Sequence, residues 1–311
     1  MCCGFVEEPI RFRATTARFV ATRSRREQRQ FLAQLALDNL AALEAAVRWC
    51  GSHDVGAFRV MSQLFPLVTH PDVGYAVDEL PRAAEIAAGL DRVRLAAKKL
   101  DVRLSFHPDQ FIVPGSESAA VVESSLAELE HQADLARRIG AEQLTIHGGG
   151  ARPDKAAALV RLARGLARLS AGARGLIALE NDDRVYTVAD LLPLCERDGL
   201  PLVYDVHHHR CNPDELSLEE ATVRAAATWK KREPWVHLSS PLGGWRDRRP
   251  QSHADFIAPG DVPPFWIGRA LTVDIEAKAK ERAVLRLQGW VRARERGVTG
   301  RTSPGTAKAA R

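Results

Sequence analysis

Short apolar runs that stop at a metal-competent residue recur roughly every thirty to forty residues along this chain, about the spacing of a repeated strand–helix unit. They read RLSFH (His107), LTIH (His147), LIALE (Glu180), LVYD (Asp205, with His208 just beyond), VHLSS (His237) and LTVDIE (Glu276). One hydrophobic run ending at a histidine or carboxylate is ordinary. A series of them is the sequence image of a parallel barrel, in which every strand delivers its C-terminal end to one mouth, where such folds keep their active sites. The runs are nearly continuous aliphatic and β-branched residues without polar alternation, as expected of strands covered on both faces.

Eight strands are predicted, at 2–6, 57–61, 102–107, 143–147, 175–180, 201–205, 235–239 and 271–276. Helical patterns lie between them at 25–50, with Gly51 as a stop, at 117–139, with Gly140 as a stop, and at 154–170 and 187–198. Alternation of strand and helix gives an α/β chain with right-handed crossovers, and the fold class expected is a TIM (β/α)8 barrel. Residues 1–296 are expected to form one barrel domain, and 297–311 a disordered basic tail that lacks apolar residues to pack. The Pro/Gly-rich stretch 241–268 is too long for a routine loop, and it carries His253.

No stretch approaches the roughly 18–20 apolar residues of a membrane span, and the N-terminus lacks the pattern of a secretory signal. Five scattered cysteines without a CxxC pair fit a reducing cytoplasm better than a disulfide scaffold. A cytoplasmic, soluble protein is expected, with a monomer as the default. The net charge is +5, from 44 basic and 39 acidic residues. Since several of the acids are candidate ligands, the exterior is more basic than that sum, which suits a polyanionic partner.

Adding His70 (VTHP) and His253 (SHAD) gives nine candidate ligands: His70, His107, His147, Glu180, Asp205, His208, His237, His253 and Glu276. Imidazole mixed with carboxylate, and no thiolate, favours zinc, manganese or iron. Nine groups exceed the needs of one ion; two or three ions bridged by a carboxylate such as Glu180 fit the count. Taken singly, a histidine at a strand end is more often a hydrogen-bonded structural residue than a ligand, and His53 and His131 are read that way; the nine stand because they share one type of position. Within YDVHHH the spacing leaves His207, His208 and His209 open: alternation places His207 on the face of Asp205, whereas a strand ending there frees His208 to turn inward. Clustered divalent ions suit phosphoryl hydrolysis. HGGG at 147–150 has no GxSxG partner, so its glycines are read as clearance for backbone near a metal or phosphate.

The chain resembles the UV damage endonuclease family. The resemblance is carried by RATTAR (13–18), FRVMSQLFPLVTHP (58–71), RLSFHPDQFIVPGS (103–116), LTIHGGG (144–150), ALENDDR (178–184), YDVHHHRCNP (204–213), VHLSSP (236–241) and VDIEAKAKE (273–281), and runs from about residue 4 to 285. It implies a TIM barrel holding manganese, with zinc and magnesium as the other candidate ions. It also implies an enzyme that nicks UV-damaged double-stranded DNA immediately 5′ of cyclobutane pyrimidine dimers and (6-4) photoproducts, leaving a 3′-hydroxyl and a 5′-phosphate. Glu180 would bridge two ions, one held by His107 and His147, the other by Asp205, His237 and Glu276. His208, selected by the family's Asp-x-x-His spacing, would serve a third position with His253 and His70. Gln110 and Phe111 match a probe inserted into the duplex at the lesion, and Phe5 matches a second aromatic with a similar task. Arg13, Arg18, Lys230 and Lys231, with Arg11, Arg246, Arg248 and Arg249, are candidate contacts to the DNA backbone.

In one respect the chain departs from the family. Where relatives commonly have lysine two residues before the histidine of VHLSS, this chain has Trp235. Metal preference and rate are therefore expected to differ. Two other readings compete: a sugar isomerase or epimerase on the same barrel, and a damage-binding protein that has lost catalysis.

Overall fold

The computed structural model describes residues 1–299, with side chains through Arg294. Seven parallel strands form one sheet in chain order: β1 (Ala57–Val60), β2 (Arg103–Phe106), β3 (Gln143–His147), β4 (Ile177–Glu180), β5 (Leu202–Asp205), β6 (Trp235–Leu238) and β7 (Thr272–Ile275). The sheet curls into a nearly closed TIM barrel. Around it run α1 (Ala17–Ala21), α2 (Arg25–Ser52), α3 (Ala83–Leu100), α4 (Ala119–Ile139), α5 (Lys155–Leu166), α6 (Ala171–Arg174), α7 (Val188–Asp198), α8 (Val206–Cys211), α9 (Leu218–Ala227) and α10 (Lys280–Thr299).

The predicted eighth strand at 2–6 is not formed; a single bridge between Cys2 and Arg59 stands in its place. Residues 1–3 still lie along β1, where the Arg59 amide donates to the Met1 carbonyl at 2.7 Å and the Cys3 amide to the Arg59 carbonyl at 2.9 Å. Cys3 then adopts a left-handed φ of 56°, which turns the chain off the ladder. The amides of Val6, Glu7 and Glu8 are taken by the Glu281 carboxylate instead, at 2.9, 2.6 and 3.3 Å.

Two glycine readings change. Gly51 does not stop the first long helix, which runs through it to Ser52. A Cβ there would meet Leu100 Cβ at 2.9 Å, so the residue is small to let α2 and α3 approach. Gly148 lies under the Tyr186 ring, where a Cβ would come within 2.5 Å, and Gly149 has φ +80° against Val113. Their clearance makes room for Tyr186 and Val113. Gly140 does cap α4, in the left-handed conformation expected of a C-terminal glycine. No start signal in the sequence marks α3, because its N-cap, Arg82, is left-handed and gives no side-chain cap. Of the expected tail, residues 297–299 continue α10, and 300–311 lie outside the described residues.

The barrel interior is layered. At the N-terminal end, Ala57, Ala178, Val203, Trp229 and Trp235 make a small apolar cluster of their own. Trp235 is fully buried there, with the Arg103 guanidinium 4.8 Å from its ring. Two residues further along β6 the same face presents His237. Polar groups thus begin one layer above a hydrophobic floor. No helix among the described residues is long and apolar enough to cross a membrane.

Candidate metal centre

Strand polarity gathers the site. His107 follows β2 directly, His147, Glu180 and Asp205 end β3, β4 and β5, His237 is the third residue of β6, and Glu276 follows β7. Glu180 sits in the middle and is fully buried. Its Oε2 lies 2.9 Å from His107 Nε2 and 4.0 Å from His147 Nε2. Its Oε1 lies 2.9 Å from His237 Nδ1 and 3.3 Å from His208 Nδ1.

Two groups of potential ligand atoms result, each with all atoms within 4.8 Å of one another: His107, His147 and Glu180, and Glu180, Asp205, His237 and Glu276. Glu180 belongs to both. Asp205 Oδ2 and His147 Nδ1 are buried without a hydrogen-bond partner, although buried polar atoms are normally satisfied. The free cysteines lie outside both groups. Three carboxylates and imidazoles converging with orphaned atoms among them fit a divalent-ion site of nitrogen and oxygen donors.

Electrostatics point the same way. Burial opposes ionisation of Glu180, yet His237, His147 and a hydrogen bond from His107 hold its carboxyl well below the usual range. Burial likewise opposes charge on His208, but Asp205 and Glu180 carry it well above its ordinary value. Burial resists charge on His237 as well, and Glu180 raises it nonetheless. On His147 burial wins and lowers it. The carboxylates attract positive charge, and a proton on His208 partly supplies it.

The histidine triplet is resolved by where β5 ends. The strand stops at Asp205, whose Oδ1 accepts from the His208 amide at 2.7 Å and starts α8. His208 therefore turns inward, 3.6 Å from Asp205 Oδ2 and 3.3 Å from Glu180 Oε1. His209 pairs with the Tyr204 hydroxyl at 2.7 Å and Asp214 at 3.2 Å, a structural role. His207 is buried 5.1 Å from the Trp245 ring. His253 reaches the rim through an ordered loop: Pro241 and His253 form a bridge, and Ser240 bonds Asp261 at 2.5 Å. Its Nδ1 is 3.6 Å from Glu276 Oε2.

His70 is not brought into either group. Its Nδ1 accepts the amides of Asp72 and Val73 at 3.2 and 3.4 Å, and the residue lines a side cleft with Gln63, Asp109, Phe111 and Glu128. Phe111 is 76% exposed beside exposed Gln110, on the loop after β2. Phe5 is half-buried, edge-on to Trp49 at 5.1 Å and stacked on Phe58 at 6.1 Å, and packs as a core aromatic.

The candidate backbone contacts divide by barrel end. Arg13 and Arg18 lie on the stretch leading into α2, at the mouth; Arg13 pairs with Asp38, and Arg18 is exposed. Arg246, Arg248 and Arg249 are exposed on the mouth loop after β6. Lys230 and Lys231 are misplaced for that task. They precede β6, so they stand at the N-terminal end of the barrel, opposite the mouth. Sequence spacing near His237 could not reveal this, because neighbours across a strand's length face opposite ends.

Three residues of the centre were not read from the sequence. Asn181 brackets the end of β5, its side chain accepting from the Asp205 amide and donating to the Asp205 carbonyl, both at 2.9 Å. Arg59 enters from β1 to bond Glu276 Oε1 at 2.5 Å and Asp274 Oδ2 at 3.1 Å. Asp274 shares Glu276's face of β7 by the period-two rule, a signal present in TVDIE but passed over.

A family model for UV-endonuclease UvdE matches residues 4–298. The chain belongs to that family. It is 37% identical over 306 residues to a UV DNA damage endonuclease of Deinococcus radiodurans, covering 93% of each chain. A UV DNA damage endonuclease of Bacillus pumilus is 33% identical over 275 residues, covering 85% of this chain and 83% of the relative. The crystal structure of SacUVDE superposes with a TM-score of 0.84 at 25% identity, covering 94% of this chain and 97% of that one.

Proposed function

We propose that this member of the UvdE family is a metal-dependent endonuclease that cuts UV-damaged duplex DNA immediately 5′ of the lesion, leaving a 3′-hydroxyl and a 5′-phosphate. The observation that carries the chemistry is Glu180, shared between two ligand groups at the barrel mouth. His107 and His147 would hold one ion with it, and Asp205, His237 and Glu276 a second. His208 and His253 would serve a third position, with His70 outside it unless its loop moves. Manganese is the proposed ion, with zinc and magnesium as the other candidates. Such ions acidify bound water and neutralise phosphate oxygens.

The chain's own groups orient the substrate. Arg18 on one side of the mouth and Arg246, Arg248 and Arg249 on another would contact phosphates and set register, not sequence. Gln110 and Phe111 project from a loop whose base is pinned by the Val113 amide on Ser125 at 2.9 Å. Inserting the exposed Phe111 ring costs about a few kcal/mol of unstacking, less where a dimer has already weakened the stack. Selection would thus come from deformability. Phe5, packed on Trp49 and Phe58 as a core aromatic, would not enter the duplex itself.

The test is incision of a duplex containing one thymine dimer, with Mn2+ supplied and a Glu180→Gln control. A cut immediately 5′ of the dimer that the control lacks supports the reading. No incision by folded, metal-loaded protein sinks it.

A further inference from the structure

Behind the ligand groups lies a buried charge cluster that the metal reading does not use. Asp274 is fully buried inside the barrel, two residues before Glu276, and its Oδ1 takes the buried Met1 ammonium at 3.1 Å. Arg59 fans its three nitrogens over Asp274 Oδ2 (3.1 Å), Glu276 Oε1 (2.5 Å) and His237 Nε2 (2.7 Å). The His237 ring is therefore read at both nitrogens. Nδ1 faces Glu180 at 2.9 Å and Glu276 at 3.5 Å, and Nε2 faces Arg59 and, at 3.9 Å, Asp274 Oδ2.

A guanidinium only donates, so in this arrangement Nε2 accepts and the ring's proton sits on Nδ1. A neutral imidazole that gives Nδ1 to an ion must instead carry its one proton on Nε2, and that N–H needs an acceptor. Arg59 cannot be one. Among the described residues, Asp274 is the carboxylate within 4.0 Å of Nε2.

We propose that Asp274, steered by Arg59, is the positioning residue that accepts the His237 Nε2 proton and so fixes Nδ1 as the ligand atom of the Glu180–Asp205–His237–Glu276 position. Arg59 has a second task, pinning Glu276 Oε1 while Oε2 faces His253. The proposal rests on the reading of His237 as a ligand. It assigns the charge behind the site to β1 and β7, since Trp235 on β6 brings none.

Mn2+ titration calorimetry on the full chain tests it, with wild type, Asp274→Asn and the double variant Arg59→Met/Asp274→Asn, which removes the guanidinium together with the carboxylate and leaves the Met1 ammonium as it is in Asp274→Asn. Outer-sphere carboxylates typically contribute 10–100-fold to metal affinity. Both variants should lose that factor at the position sharing His237, while the His107–His147 position stays within about twofold. Recovery of wild-type affinity in the double variant would mean that Asp274 only balances Arg59, overturning the proposal, as would an unchanged Asp274→Asn. A readout free of substitutions is 15N NMR of His237 in the wild type. The proton should sit on Nδ1 without metal and on Nε2 with Zn2+; an unprotonated Nε2 in the Zn2+ form overturns the proposal while leaving the ligand reading intact. A wild-type chain that binds no Mn2+ overturns both.

Discussion

Glu281 offers a measurable link between the end of the VDIEAKAKE motif and the N-terminal segment at residues 6–8. Its side chain is buried, and its two oxygens take the successive amides of Val6, Glu7 and Glu8. Burial opposes the charge, but the amides of Val6 and Glu7 outweigh it and lower the carboxyl. Hydrogen bonds to a charged group contribute about 1.5–3 kcal/mol each, and less where water can replace them, as it can at half-exposed Val6. Glu281→Ala should therefore release the segment by about 3 kcal/mol, and Glu281→Gln by roughly half, since a neutral oxygen still accepts. If the segment opens without global unfolding, 3 kcal/mol raises its opening constant on the order of 100-fold, and native-state trypsin cleavage after Arg11 and Arg13 should accelerate accordingly. Because the folded carboxyl is lowered, its contribution is present above about pH 4.3 and is lost as pH falls through the folded value. The thermal gap between wild type and Glu281→Gln should narrow on acidification. Cleavage of Glu281→Ala within about threefold of wild type would refute the reasoning, because an unlatched segment of that energy cannot stay protected.

Other consequences are as direct. Phe111→Ala should alter stability by no more than about 0.5 kcal/mol, given its exposure, yet weaken binding to dimer-containing duplex by about 1–3 kcal/mol in a fluorescence titration. Alanine at both Lys230 and Lys231 should leave the salt dependence of DNA binding unchanged, whereas Arg18→Ala with Arg248→Ala should reduce the slope of log affinity on log salt by about 2. In metal-free protein, the raised His208 contributes stability that is fully present below about pH 6.5 and lost as pH rises through its folded value. Melting temperature should thus fall from pH 6 to pH 9 without ions, and the gain on adding Mn2+ should grow over the same range.

The barrel was legible because its strands announce themselves twice, by apolar runs and by the residue at which each run stops. The same device located Glu180, Asp205 and the histidines around them, since a parallel strand's end fixes which mouth its last residue faces. It failed where neighbours decide the outcome. Residues 2–6 look like a strand, but Cys3 turns and Glu281 competes for the amides, so only a bridge forms. Gly51 looks like a stop, yet Leu100 needs the space. Lys230 and Lys231 are near His237 in sequence and at the opposite end of the barrel from the mouth, because a strand separates them from it. His70 lies on a turn that claims Nδ1 and leaves Nε2 as its nitrogen for an ion.

Trp235 is the departure that most bears on how this chain works, and its surroundings explain why it is tolerated. A lysine at that position would place a charge in the layer that here joins Ala57, Ala178, Val203 and Trp229 into a dry floor. Tryptophan fills that volume, and Arg103 stacks over it while bonding Glu142 and Glu233 at the barrel's base. The floor excludes water from beneath His237, which strengthens every interaction in the layer above. In that layer Arg59, from β1, sets a guanidinium against Glu276. An ammonium at position 235 could change its charge with its surroundings; a guanidinium cannot. The second ligand group is therefore set against a permanent positive charge neutralised by Asp274. Trp235→Lys should disturb the floor before it improves the site: a lysine leaves the indole's volume unfilled and buries an unpaired charge, at a cost of about 3–5 kcal/mol. A stable Trp235→Lys protein with unchanged melting temperature would show that the floor accepts a cation.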